Sequence, residues 1–235
     1  MTPGKLENQA EAAIALLRKY TDRATLQGMS RYAIPSDNAI GVPVNKIRLV
    51  ANQLGRDHDL AGALWKAGWY EARMLAIYVD EPAKVTSTQM DHWCRDFDSW
   101  AICDTACFHL FDRTPHAWQK VRKWSLRREE FVKRAAFALL ACLALHDKTT
   151  ADDVFADFLP LIESAASDER NFVMKGVNWA LRAVGRRNYA LKAAATSLAQ
   201  RLAESPDGAA RWVGKDALRD LSKATIKRQW RKRQP

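Results

Sequence analysis

Asp104 is the one charged residue on a helical stripe otherwise made of Phe97, Trp100, Cys107, Phe108 and Phe111. Trp100 and Asp104 stand four positions apart, so on a helix their side chains are neighbours. A carboxylate set among aromatic rings is costly unless it is paired or functional. Paired, it would cap a neighbouring helix or meet an arginine. Arg134 poses the same question on a stripe with Phe131, Ala138, Ala141 and Leu145. Arginine goes inside only with a carboxylate, a phosphate or a route to solvent. Further on, Val173, Val177, Ala180, Leu181 and Val184 define one helical face, and the other carries Lys175, Trp179, Arg182 and Arg186. A tryptophan among cations suits contact with a charged polymer that also offers flat or sugar surfaces. Packing beneath a neighbouring repeat is the structural alternative for Trp179.

These residues need helices to hold them. Glycine (10) and proline (8) are scarce and fall at breaks, and no segment alternates cleanly between apolar and polar residues, so strands are not expected. Helical periodicity predicts helices over 5–19, 22–33, 43–56, 57–66, 69–80, 86–94, 97–111, 115–124, 127–145, 150–162, 168–185, 188–203 and 207–222. A loose repeat is visible. Charged anchors at Arg73, Asp104, Arg134 and Lys175 are separated by 31, 30 and 41 positions, near the repeat length of paired-helix solenoids. Stacked pairs of this kind curve and present a concave binding face. If the repeats stack in register, Trp100, Asp104, Arg134 and Trp179 line one groove. The expected class is all-α, a helical-repeat solenoid over 1–222 followed by a basic tail over 223–235.

Composition narrows the partners. The chain has 235 residues, 48% hydrophobic and 27% charged, the balance of a soluble globular protein. Its net charge is +10, and Lys223, Lys227, Arg228, Arg231, Lys232 and Arg233 follow Asp220 with no intervening acid. Such an arm attracts nucleic acid or acidic membranes without choosing between them. The longest apolar run, Ala135 to Leu145, is too short to span a bilayer, and the N-terminus shows no secretory pattern. Cys94, Cys103, Cys107 and Cys142 form no Cys-x-x-Cys pair, which suits free thiols in a reducing cytoplasm. His58, His92, His109, His116 and His146 show no ligand spacing with acids or cysteines, so no metal site is expected.

Three segments resemble motifs of the AlkD-type DNA alkylation-repair glycosylases. Phe97-Asp98-Ser99-Trp100-Ala101-Ile102-Cys103-Asp104 is similar to the family's Trp-x-x-x-Asp motif, with Ser99 where the family often has a second tryptophan. Lys133-Arg134-Ala135-Ala136-Phe137 resembles its Arg-Ala-Ala motif. The segment from Arg170 through Phe172, Lys175 and Trp179 to Arg182 resembles its F-hydrophobic-x-K-x-hydrophobic-x-W-x-L-R motif. Met29-Ser30-Arg31-Tyr32 and Gly41-Val42-Pro43 are similar to N-terminal elements, and the resemblance runs over about residues 10–220.

The resemblance implies a HEAT-like repeat fold and a monofunctional glycosylase without cofactor. Its substrate would be double-stranded DNA carrying cationic alkylated purines such as 3-methyladenine and 7-methylguanine. It makes Asp104 the catalytic carboxylate. Trp100 and Trp179 would contact the lesion nucleotide's backbone, Arg134 a phosphate nearby, and Tyr32 a further point of contact. Lys175, Arg182, Arg186 and Arg187 would supply salt-sensitive affinity for the backbone. The residue types suit that chemistry. A cationic purine is already a good leaving group, and a carboxylate beside the sugar stabilises the positive charge its departure creates. The chain is expected to act as a cytoplasmic monomer. The competing reading is a non-catalytic HEAT-like module that binds nucleic acid or serves as a scaffold.

Overall fold

The computed structural model describes residues 3–223, and the described part of the chain is helical with no strand. The described residues cluster into two compact units, the first ending at His116 and the second beginning at Ala117. The expected tail lies, beyond Lys223, outside the described residues.

The first unit holds α1 (Pro3–Arg18), α2 (Arg23–Gly28), α3 (Val44–Leu54), α4 (His58–Lys66), α5 (Tyr70–Val79), α6 (Ser87–Arg95) and α7 (Trp100–His109). Side-chain caps start several of these helices. Asp22 accepts from the amides of Ala24 and Thr25, Asp57 from Leu60, Thr86 from Gln89, and Ser99 from Ile102. Each satisfies a donor that the first helical turn leaves open. The helices pair α4 with α5, while α3, α5 and α7 pack successively against one another. Trp65 of α4 stacks on Trp93 of α6 with ring centroids 4.0 Å apart, and Phe97 and Phe111 close around them. The Trp65 indole N–H donates to the Asp96 carboxylate at 2.9 Å, so the ring is buried without losing its donor.

The second unit holds α8 (Ala117–Ser125), α9 (Glu130–His146), α10 (Asp152–Ala156), α11 (Leu159–Ala165), α12 (Asn171–Gly185), α13 (Tyr189–Ala203) and α14 (Gly208–Leu221). Here α8 packs on α9 and α13 on α14, and α12 lies against both α9 and α14. Residues 135–144 are all buried, as an all-round apolar helix requires. The repeat anchors fall consistently: Arg73 on α5, Asp104 on α7, Arg134 on α9 and Lys175 on α12, helices that pack along a row within their own unit. No helix among the described residues is long and apolar enough to cross a membrane.

Three expected helices differ in ways with clear causes. The segment 150–162 breaks at Asp157–Phe158. Phe158 turns inward, fully buried, to meet Trp118 together with Phe155. The break places Pro160 in the first turn of α11, where its missing N–H costs nothing. The segment 22–33 becomes α2 plus a 3-10 turn, Met29–Tyr32, stopped by left-handed Ala33 (φ 53°). The segment 97–111 shortens because Ser99 caps α7, leaving Phe97 before the helix.

Arg187 is a structural residue, not the DNA-facing cation expected of it. It is buried, stacks its guanidinium 3.7 Å from the Phe155 ring centroid, and donates to the carbonyls of Ala144 and Asp147 and to the Asp152 carboxylate. These bonds satisfy the C-terminal carbonyls of α9, where a cation is also favoured by the helix dipole.

A second cluster steadies the entry to α12. The Asp168 carboxylate takes two hydrogen bonds from the Arg170 side chain, one from the Arg170 backbone N–H and one from Lys133 (2.9 Å). The Arg170 bonds, followed by those from Lys133, hold its carboxyl well below the usual carboxylate range against the opposing effect of burial. A depressed native pKa stabilises the fold at pH above the unfolded value, roughly 3.9, and that contribution is lost as pH falls toward the native value. Urea unfolding of the wild type and Asp168→Asn should therefore differ most at pH 7, with the gap narrowing below about pH 4. A gap as wide at pH 2.5 as at pH 7 would contradict this origin.

Candidate nucleic-acid interface

In the first unit the structure brings together Tyr32, Trp100 and Asp104. The aromatic stripe anticipated around Asp104 separates into two faces of α7. Cys107 on the helix, with Phe97 before it and Phe111 after it, is buried, whereas Trp100, Asp104 and Phe108, each four residues on, are half-buried and form a distinct edge. The Trp100 indole N–H donates to the backbone carbonyl of Tyr32 at 2.7 Å. That bond fixes the indole beside the 3-10 turn and leaves the Tyr32 ring 66% exposed. Asp104 thus occupies the next turn of the helix after an indole whose orientation is locked.

The turn itself is held by a residue that sequence patterning did not single out. Glu71 on α5 is buried, and its two carboxylate oxygens accept the backbone N–H groups of Ile40 (2.8 Å), Gly41 (2.7 Å) and Val42 (3.1 Å). Successive amides converging on one carboxylate make an anion nest, and the nest fastens the segment between Tyr32 and α3 to α5. Gly41 permits it. Its φ is +83°, and a Cβ there would lie 2.8 Å from Leu26 Cβ and 3.0 Å from the Asp22 carbonyl oxygen. The visible clue was an acid thirty residues from a Gly-Val-Pro turn, which alone does not announce a contact.

In the second unit Arg134 is buried where α9 crosses α12. Its Nη1 donates to the carbonyl of Phe172 at 2.7 Å. Gly176, on the next turn of α12, gives the arginine room: a Cβ at 176 would stand 3.4 Å from both Arg134 Cγ and its carbonyl oxygen. Phe131 and Phe172 flank the crossing with ring centroids 5.2 Å apart. The same helix presents Lys175, exposed, and Trp179, half-buried, while Val173, Val177, Ala180, Leu181 and Val184 are buried as anticipated.

Arg182 and Arg186 share a carboxylate. Asp220 of α14 accepts from Arg186 through both oxygens and lies 3.5 Å from Arg182 Nη1. Two guanidiniums on one acid leave a net positive charge, but their forks are aimed by Asp220 and are not loose in solvent. That partner was invisible from the helical pattern because Asp220 lies 34 positions away. Among the described residues no group of three or more His, Cys, Asp or Glu could hold a metal ion.

A search of curated proteins found no match. Among solved structures, one described as belonging to "a new family of proteins related to the HEAT-like repeat DNA glycosylases with affinity for branched DNA structures" superposes with a TM-score of 0.73, at 16% identity, over 89% of this chain and 94% of that one. At that identity the likeness establishes the fold, a HEAT-like helical repeat. The sequence model of DNA alkylation repair enzymes matches residues 13–221, including each segment described above. The chain belongs to the DNA alkylation repair enzyme family.

Proposed function

We propose that the protein is a monofunctional DNA glycosylase that hydrolyses the N-glycosidic bond of cationic alkylated purines, 3-methyladenine and 7-methylguanine, in double-stranded DNA. The observation that carries this reading is Asp104, half-buried one helical turn from an indole fixed by its own hydrogen bond. Departure of a cationic purine leaves an electron-poor sugar. Asp104 stabilises that charge and orients the attacking water. Within the first unit Trp100 offers a face to the sugar and attracts the cationic base, and within the second Trp179 adds an indole contact to the DNA. Arg134, Lys175, Arg182 and Arg186 bind backbone phosphate, which sets position without reading sequence, and Tyr32 adds an exposed aromatic contact. No cofactor takes part. The protein works as a monomer, in the cytoplasm and on DNA.

The test is incubation of purified protein with methylated duplex DNA, followed by chromatography of released bases. Free 7-methylguanine or 3-methyladenine is the expected product. A second reading is a structure-selective DNA binder without catalysis, favoured by the branched-DNA affinity of the structurally similar relative. Tight binding of branched DNA with no base release would decide for it.

A further inference from the structure

Arg48 sits on the outer face of α3 and reaches across two neighbouring helices. Its Nε donates to the Tyr78 hydroxyl of α5 at 3.2 Å, and its Nη2 lies 3.4 Å from His109 Nε2 of α7. The guanidinium carbon stands 5.4 Å from the Tyr78 ring centroid, and the Tyr78 and His109 rings are 5.0 Å apart. Arg48 is exposed, and among the described residues no carboxylate lies within ion-pair distance of it. This separates it from Arg73, Arg170, Arg186, Arg187, Arg201 and Arg219, each of which has an acid partner.

The partners are chemically informative. A phenol oxygen and an imidazole nitrogen accept from the arginine without neutralising it, and His109 does so only as the neutral ring with Nε2 unprotonated. The side-chain entropy of a long cation has been given up, yet its charge stands uncompensated and its Nη1 edge keeps its donors for another acceptor. An oriented, uncompensated fork of this kind matches the oxygens of a phosphodiester. Its location is at the C-terminal end of α7, where His109 directly follows Phe108, the last residue of the Trp100–Asp104–Phe108 edge.

We propose that Arg48, aimed by Tyr78 and His109, is a binding residue for a backbone phosphate of the DNA. The inference rests on the DNA-binding part of the reading above and not on catalysis. It is tested by fluorescence anisotropy with an undamaged labelled duplex across a sodium chloride series, using wild type, Arg48→Met, Arg48→Lys and Tyr78→Phe, each checked for an unchanged thermal melt. Removing one phosphate contact should reduce the slope of log affinity against log salt by about 0.9 in Arg48→Met. Arg48→Lys and Tyr78→Phe keep the charge but lose the fork or its aim. Both should keep the slope and bind roughly two- to fivefold more weakly, consistent with the loss of a single hydrogen bond. A wild-type slope in Arg48→Met would overturn the assignment while leaving DNA binding intact. Absence of binding by the wild type would overturn both.

Discussion

Replacing Asp104 by asparagine is expected to slow base release about 10²- to 10³-fold while leaving DNA affinity equal or higher. The magnitude is that of removing one preorganised electrostatic stabiliser from a transition state. The substitution keeps shape and one acceptor oxygen, so α7 and its edge should persist and the loss should appear in kcat more than in KM. The sign on binding follows from charge, since a carboxylate at a phosphate-facing surface opposes association. The direction of the two effects separates the candidate functions. A pure binder would gain affinity from Asp104→Asn and have no release to lose. Single-turnover release from methylated DNA, measured beside an equilibrium titration, gives both numbers. Release within threefold of wild type would remove Asp104 from the chemistry.

The second large effect is structural and sits at Glu71. Replacement by alanine leaves three buried amides, those of Ile40, Gly41 and Val42, without their acceptor. Each stranded donor costs on the order of 1–3 kcal/mol, and loop relaxation recovers part of it. A net loss of about 3–5 kcal/mol is expected. For a chain of this size each kilocalorie moves Tm by roughly 2–4 °C, so the melting point should fall by about 10 °C. Glu71→Gln should recover part of the loss, because its amide oxygen can still accept from Gly41 and Val42 while its NH2 turns a donor toward the Ile40 N–H. The segment between Tyr32 and α3 should become the first site of limited proteolysis in either variant. A Tm shift under about 2 °C would mean that the nest contributes little.

These two residues mark what a sequence can and cannot tell. Asp104 was legible because a charge interrupted an apolar period on its own helix, and Lys175 and Trp179 because they sat opposite a clean core face. The helical-repeat fold was legible for the same reason: spacing within a helix is a local property. What escaped was everything decided by partners distant along the chain. Glu71 reads as an ordinary surface acid until the Gly41 turn folds over it. Arg186 and Arg187 are adjacent in sequence and similarly basic, yet one meets Asp220 and the other disappears beneath Phe155. No periodicity distinguishes them. The break at Phe158 was hidden because a buried aromatic fits a helix pattern and a helix end equally well.

Arg134 holds its place through its hydrogen bond to the Phe172 carbonyl and through an absence of atoms beside it. With hydrogen alone on Cα, Gly176 brings the α12 backbone up to the arginine's stem, and a carbon added there would meet Arg134 Cγ at 3.4 Å, the near edge of van der Waals contact. The guanidinium is aimed by the Phe172 carbonyl, and the close approach of the two helices beside its stem runs past a residue with no side chain. A single methyl at position 176 would fill that narrow space while leaving every charged and aromatic side chain proposed to meet the DNA unchanged.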